Sequence, residues 1–357
     1  MARMMTEIKD ESTLRNPGPL RIAVIGAGHW GPNLIRNFHN HTTSEVAWVI
    51  DRDEARLKLA ESRYPGIRIA ADPAVAFADR EVDAVVISTP TITHFELASA
   101  ALAAGKHALV EKPIAANAGE ADALCELAER RGLVLMVGQV FLFNAAIRRV
   151  REYLAQGKLG RLFYISMIRT NLGPIRMDVN AAWDLAAHDI AIANDWLGAI
   201  PLQAAAQGGS WINEGIEDAV FANLWYPDGV MVNLHVSWLS PRKVRDITVV
   251  GEKGMLTFDD MNLAEPLRLY DKQVTGKLTP APFIDTFASF RTSIHEGDIQ
   301  IPKVAAGEPL KAECDHFLEC IASGQPPISG GRSGAGAVRV LDALSRSLRN
   351  GGRKESV

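Results

Sequence analysis

Ile22-Ala23-Val24-Ile25-Gly26-Ala27-Gly28-His29-Trp30-Gly31 is an apolar run that breaks into glycines spaced Gly-x-Gly-x-x-Gly. The order predicts a strand, a tight turn and a helix opening near Pro32. Gly26 allows the turn, Gly28 lets main chain approach a pyrophosphate, and Gly31 lets helix and strand pack closely. The free N–H groups of the helix start would receive the phosphates. The spacing alone is weak, because glycine is common in turns. Its context is not: Asp51 ends the next apolar run, about twenty residues on, where an acidic side chain accepts the ribose hydroxyls of a dinucleotide. The charge of Asp51 repels a 2′-phosphate and favours NAD over NADP. Arg52 beside it works the other way, since a guanidinium can stack on adenine or pair with that phosphate.

Outward from this turn the first half alternates strand and helix. Strands are expected over 21–25, 46–50, 67–70, 84–87, 107–110 and 134–137. Helices are expected over 32–40, 54–63, 73–77, 95–104 and 119–131. Short apolar runs with little alternation are what a parallel sheet covered on both faces requires. The expectation is a doubly wound Rossmann domain over 20–140, preceded by a polar extension over 1–19.

The second half, 141–357, changes character. Helices are expected over 145–156 and 183–197. The strand candidates 203–208, 218–226, 230–238, 246–250, 255–258 and 267–270 are punctuated by Pro227-Asp228-Gly229 and Glu252-Lys253-Gly254, sequences of tight turns between antiparallel strands. Two closing helices are expected over 310–323 and 334–349. The fold class is therefore α/β, with a parallel sheet first and an α/β domain on an open, mostly antiparallel sheet second.

Composition narrows the function. Thirty-eight Lys and Arg against forty-two Asp and Glu give a net charge of −4, which supports neither a nucleic-acid nor an anionic-membrane surface. No apolar run reaches the ~20 residues of a membrane span. The stretch 1–16 is polar and mixed in charge, unlike a signal peptide, so the expected location is cytoplasmic. Three scattered cysteines suit neither a disulfide framework nor a metal site.

Chemistry-bearing residues cluster where ligands bind in such folds, beyond the carboxyl ends of the strands. Thr89 and Pro90 follow the fourth strand and are placed to line the nicotinamide half of a cofactor. His94 either joins them or lies on the surface. Glu111, Lys112 and Pro113 follow the fifth strand. In the second half Asp184 and His188 stand at i and i+4 on one predicted helix face. There the carboxylate can fix the imidazole tautomer or favour its protonated form; alternatively Asp184 is an N-cap and His188 a surface residue. The stretch 169–176 offers Arg169, Asn171 and Arg176 either to substrate hydroxyls and anionic groups or to solvent. Trp183, directly before the pair, is also expected at the substrate.

These segments, in this order and spacing, together resemble the glucose–fructose oxidoreductase / inositol dehydrogenase / rhizopine-catabolism (Gfo/Idh/MocA) family from Leu20 to about Arg349. The resemblance implies NAD(H) or NADP(H), sugars or cyclitols as substrates, and Lys112, Asp184 and His188 as the catalytic group. It implies a cis Lys112–Pro113 bond and an interdomain segment at Gly138-Gln139 and 141–144. Cofactor contacts are then expected at Gly26, Gly28, His29, Trp30, Gly31, Asp51, Arg52, Thr89, Pro90, His94, Glu111, Lys112 and Gln139. Either neutral His188 or Lys112 carries the proton. The run 238–245, Trp-Leu-Ser-Pro-Arg-Lys-Val-Arg, resembles a branch acting on nucleotide-activated sugars; inositols and free sugars are the alternatives. Family assembly implies a homodimer or homotetramer through the second sheet, because neither alternate set on 218–226 is mostly polar. Two rival functions share the fold: a non-catalytic cofactor-binding regulator, and a redox glycosidase that returns its NAD unchanged.

Overall fold

The computed structural model describes residues 18–274 and 294–357. The expected N-terminal extension thus lies, as far as residue 17, outside the described residues.

Six parallel strands form the first sheet: β1 (Leu20–Ile25), β2 (Ser44–Ile50), β3 (Arg68–Ala70), β4 (Ala84–Ile87), β5 (His107–Glu111) and β6 (Leu135–Gly138). Their order is β3-β2-β1-β4-β5-β6. Helices α1 (Gly31–His39), α2 (Glu54–Arg63), α3 (Ala74–Ala78), α4 (His94–Ala103) and α5 (Ala118–Arg131) make the crossovers. All four residues of β4 are fully buried, which explains the unbroken apolar runs: neither face meets water. Strand order reverses between β1 and β4. The crevice beyond their carboxyl ends is the ligand position of a doubly wound sheet.

The second sheet has nine strands: β7 (Leu162–Leu172), β8 (Gln203–Gly209), β9 (Ala219–Trp225), β10 (Met231–Ser237), β11 (Leu239–Gly251), β12 (Gly254–Asp259), β13 (Leu267–Val274), β14 (Ile294–Gln300) and β15 (Glu355–Ser356). Only the β7–β10 pair is parallel among its described pairings. Val220, Ala222 and Leu224 of β9 are buried beneath it, while Phe221 is 52% exposed on the other face. Strand β11 begins earlier than expected and shifts register between Leu239 and Val244, so its polar Ser-Pro-Arg-Lys stretch hid a strand. Strand β14 was not anticipated, because Ile294–Gln300 alternates weakly.

Helices α6 (Ala145–Ala155), α7 (Ala187–Leu197), α8 (Pro309–Ser323) and α9 (Gly331–Arg349) complete the chain. Helix α9 packs on α5 of the first half and on α7 and β8 of the second, tying the two sheets together. The expected helix over 183–197 starts instead with one π-helical turn, Ala182–Ala186. Such wide turns are frequent at functional sites. No helix among the described residues is long and apolar enough to cross a membrane.

Candidate active site

The glycine turn is built by close contacts at two of its three glycines. Gly26 has φ +98°, and a Cβ there would lie 2.7 Å from the Ser88 main-chain oxygen, so β1 and β4 could not meet. A Cβ at Gly31 would overlap the Gly26 carbonyl oxygen. Gly28 differs: a Cβ would meet only the tip of Arg56, at 3.5 Å, which leaves its backbone open to a ligand. Asp51 accepts the Ala27 N–H at 2.7 Å and the Asp53 N–H at 2.9 Å. It therefore anchors the turn as well as offering a carboxylate to a ribose. No side chain caps the start of α1, where Pro32 has no N–H and the Asn33 N–H is taken by the Trp30 carbonyl. Bare Gly28, an uncapped helix and the Asp51 carboxylate fit a dinucleotide. His29 and Trp30 are exposed on the turn, and Arg52 is exposed beside Asp51. The cation that approaches Asp51 is Arg56, at 3.6 Å, a residue the sequence reading passed over.

On the other side of the crevice Thr89 bonds Thr93 through their hydroxyls and Pro90 is exposed. His94 is neither a surface residue nor open to a ligand: it is 1% exposed. Its Nδ1 lies 2.8 Å from the Pro113 oxygen and its Nε2 2.9 Å from the Thr89 oxygen. The ring ties the loop after β4 to the loop after β5, and burial holds its pKa below the usual value. Glu111 lies over Gly138, where a Cβ would come within 3.1 Å of its carboxyl. Burial pushes Glu111 up to about 7 against the opposing pull of Lys112. Gln139 is buried directly after β6.

Lys112 follows β5, precedes a cis bond to Pro113, and reaches the second half. Its Nζ donates to the Asp184 main-chain oxygen at 2.8 Å and lies 3.3 Å from Asp184 Oδ1. Arg176 Nη1 lies 3.4 Å from the same Oδ1, and Trp238 Nε1–H donates to Oδ2 at 3.1 Å. Both carboxylate oxygens are thus taken by groups other than His188. The expected Asp184–His188 contact is absent among these bonds; Asp184 holds Lys112 instead. The π turn carries Asp184, and its main-chain oxygen becomes an acceptor for the ammonium.

His188 is half-buried, with its ring edge on Phe141 at 5.0 Å between centroids. Its Nδ1 is buried without a hydrogen-bond partner among the described residues. Burial, then the cations Lys112, Arg169 and Arg245, drives its pKa well below 6.5. The ring is therefore neutral near pH 7 and able to accept a proton.

Of the residues expected at the substrate, two are engaged elsewhere. Arg169 is 4% exposed and donates twice to Asp189 Oδ1, at 3.0 and 2.6 Å, with its guanidinium 4.2 Å from the Phe141 ring centre. Trp183 gives its indole N–H to Ser345 on α9 at 2.8 Å. Asn171, at the end of β7, and Arg176, in the loop from β7 to the π turn, remain half-exposed. Sequence reading missed the role of Trp238, although the run containing it had been singled out. The same run ends in Arg245, paired with Asp260 at 2.9 Å. No group of three or more metal-ligating side chains occurs among the described residues.

A dinucleotide crevice on one sheet, with Lys112 from its edge meeting Asp184 and His188 of the other half, defines a two-domain nicotinamide-dependent oxidoreductase. Residues 20–139 match the oxidoreductase family with an NAD-binding Rossmann fold, and residues 147–257 match the GFO/IDH/MocA C-terminal domain. The chain is 30% identical over 339 residues to UDP-N-acetylglucosamine 3-dehydrogenase of Acidithiobacillus ferrooxidans, covering 92% of this chain and 98% of that protein. Scyllo-inositol 2-dehydrogenase (NAD(+)) of Bacillus subtilis is 25% identical, covering 93% and 95%. A crystal structure of the Acidithiobacillus enzyme superposes with a TM-score of 0.78 at 26% identity, over 93% of this chain and 98% of that one. The chain belongs to the Gfo/Idh/MocA family of oxidoreductases.

Proposed function

We propose that this chain transfers hydride between NAD(H) and a secondary alcohol or ketone of a nucleotide-activated sugar. The observation that carries the reading is the meeting of Lys112, from the carboxyl edge of the first sheet, with Asp184 one helical turn before His188. Bound nicotinamide supplies the hydride acceptor or donor. Gly26, Gly28 and Gly31 would hold the pyrophosphate side, and Asp51 the adenosine ribose, with a charge that favours NAD over NADP. Neutral His188 takes the hydroxyl proton; with Nδ1 buried, Nε2 is the nitrogen that exchanges it. The Lys112 side chain, held by Asp184, stabilises developing alkoxide on the same oxygen. Asp184 positions Lys112. The substrate class rests on the Acidithiobacillus relative, whose name specifies a UDP-sugar, and on the 238–245 run. In the same reading residues 20–140 form the cofactor half and 141–357 the substrate half.

The exposed face of the second sheet carries Tyr164, Phe221 and Met231, each 38–52% exposed, and Phe221 stacks on His235 at 4.4 Å. A second copy of the chain covers this face in the proposed assembly, a homodimer or homotetramer. The deciding experiment is an absorbance screen for NAD(P)H formation or consumption over UDP- and dTDP-sugars, free sugars and inositols. Turnover confined to an inositol would replace the substrate class. Absence of net turnover in every case would count against the dehydrogenase reading.

A further inference from the structure

Two cations converge on one oxygen. Lys112 Nζ lies 3.3 Å and Arg176 Nη1 3.4 Å from Asp184 Oδ1. Arg176 does not reach Asp184 freely, because Asp178 grips the opposite side of its guanidinium, Nε to Oδ1 at 2.9 Å and Nη2 to Oδ2 at 2.5 Å. Such a two-point grip fixes the plane of a guanidinium as well as its position. The four charges alternate in sign along a chain: Asp178, Arg176, Asp184, Lys112. Exposure falls along it, from 51% at Asp178 through 33% and 21% to 12% at Lys112. The inner pair therefore lies where charges are least screened.

We infer that Arg176, gripped by Asp178, is a positioning residue that sets how firmly Asp184 holds the Lys112 ammonium. A carboxylate oxygen that serves two cations gives less to each than one that serves a single cation. Arg176 also repels Lys112 directly. Both effects weaken the hold of Asp184 on Lys112, leaving the ammonium able to exchange Asp184 for a substrate oxygen. Asp178 opposes them by drawing Arg176 outward. The other groups facing this chain are the Trp238 N–H on Asp184 Oδ2, Glu111 and His188 around Lys112, and His94 near Arg176. This assigns Arg176 a task other than reading substrate anions, for which a guanidinium already paired with two carboxylates is poorly suited. The kinetic consequence rests on the proposed reaction; the effect on Lys112 does not.

The test is competitive amine acetylation of the intact protein at fixed pH, with the Lys112 peptide quantified by mass spectrometry. Only the uncharged amine reacts, so the rate reports how strongly the surroundings hold the ammonium. Arg176→Gln should slow Lys112 labelling ~3- to 10-fold, the scale of losing one partly screened charge. Asp178→Asn should speed it, because Arg176 then draws more on Asp184 and one anion is gone. Opposite signs are a signature that general loosening of the loop would not produce. Other lysines serve as internal controls, and unchanged cofactor affinity shows that both variants fold. Lys112 labelling within twofold of wild type in both variants, or moved in the same direction in both, overturns the inference. Where the substrate screen finds no turnover, the labelling result still stands and only the proposed reaction fails.

Discussion

Replacing Arg169 by alanine separates a structural from a substrate-reading role for a residue that the sequence offered to the substrate. The Arg169–Asp189 side chains are 5% and 2% exposed, so both charges are removed from water. Arg169 supplies two hydrogen bonds to Asp189 Oδ1, while Asp189 Oδ2 is buried without a partner among the described residues. Truncation strands the carboxylate, and breaking a buried pair from one side costs about 3–5 kcal/mol. The lost cation–π contact with Phe141 adds about 1 kcal/mol. At ~2–4 °C per kcal/mol for a domain of 150–250 residues, thermal denaturation followed by circular dichroism should show Tm lower by roughly 8–24 °C. The double variant Arg169→Met with Asp189→Leu should recover most of the loss, because it removes both charges together. Wild-type Tm in Arg169→Ala, with a KM for the sugar raised tenfold or more, would refute this reasoning and return Arg169 to the substrate.

Three further outcomes follow from the site. Lys112→Ala and His188→Ala should each lower kcat/KM by ~10²-fold or more, with cofactor dissociation constants, measured by fluorescence quenching, within about twofold of wild type; wild-type turnover in both would remove the assigned roles. His188 is held well below 6.5 by burial and three cations, so alcohol oxidation should show no loss of kcat/KM attributable to His188 between pH 7 and ~6.5. The linked stability is complete above ~6.5, the unfolded value, and is lost as pH falls from there through the depressed folded value. A His188-dependent kinetic limb at 6.5, absent from His188→Gln, would contradict the burial argument. Asp51→Asn should narrow the preference for NAD over NADP by about tenfold in direct binding titrations, one charge being worth ~1.4 kcal/mol or more at that distance, and an unchanged ratio would shift attention to Arg56.

The first sheet, the glycine turn and the chain positions of the reactive groups are legible in the amino-acid order. These are local matters: apolar runs without alternation report a sheet buried on both faces, and the glycine spacing reports a turn where two of three positions admit no Cβ. Lys112 at a strand end and Asp184 four residues before His188 were equally visible. Which of these side chains touch is set by how the chain packs in three dimensions. Lys112 and Asp184 are 72 residues apart, and their contact depends on how the two sheets dock and on a π turn that rotates Asp184 away from the expected helical register. Packing within each half buried His94 between two loops, paired Arg169 with Asp189 and brought the Trp238 indole onto Asp184. Periodicity tells which face of an element is covered. It cannot tell what covers it, because a hydrogen-bond partner is chosen by distance in space rather than by spacing along the chain.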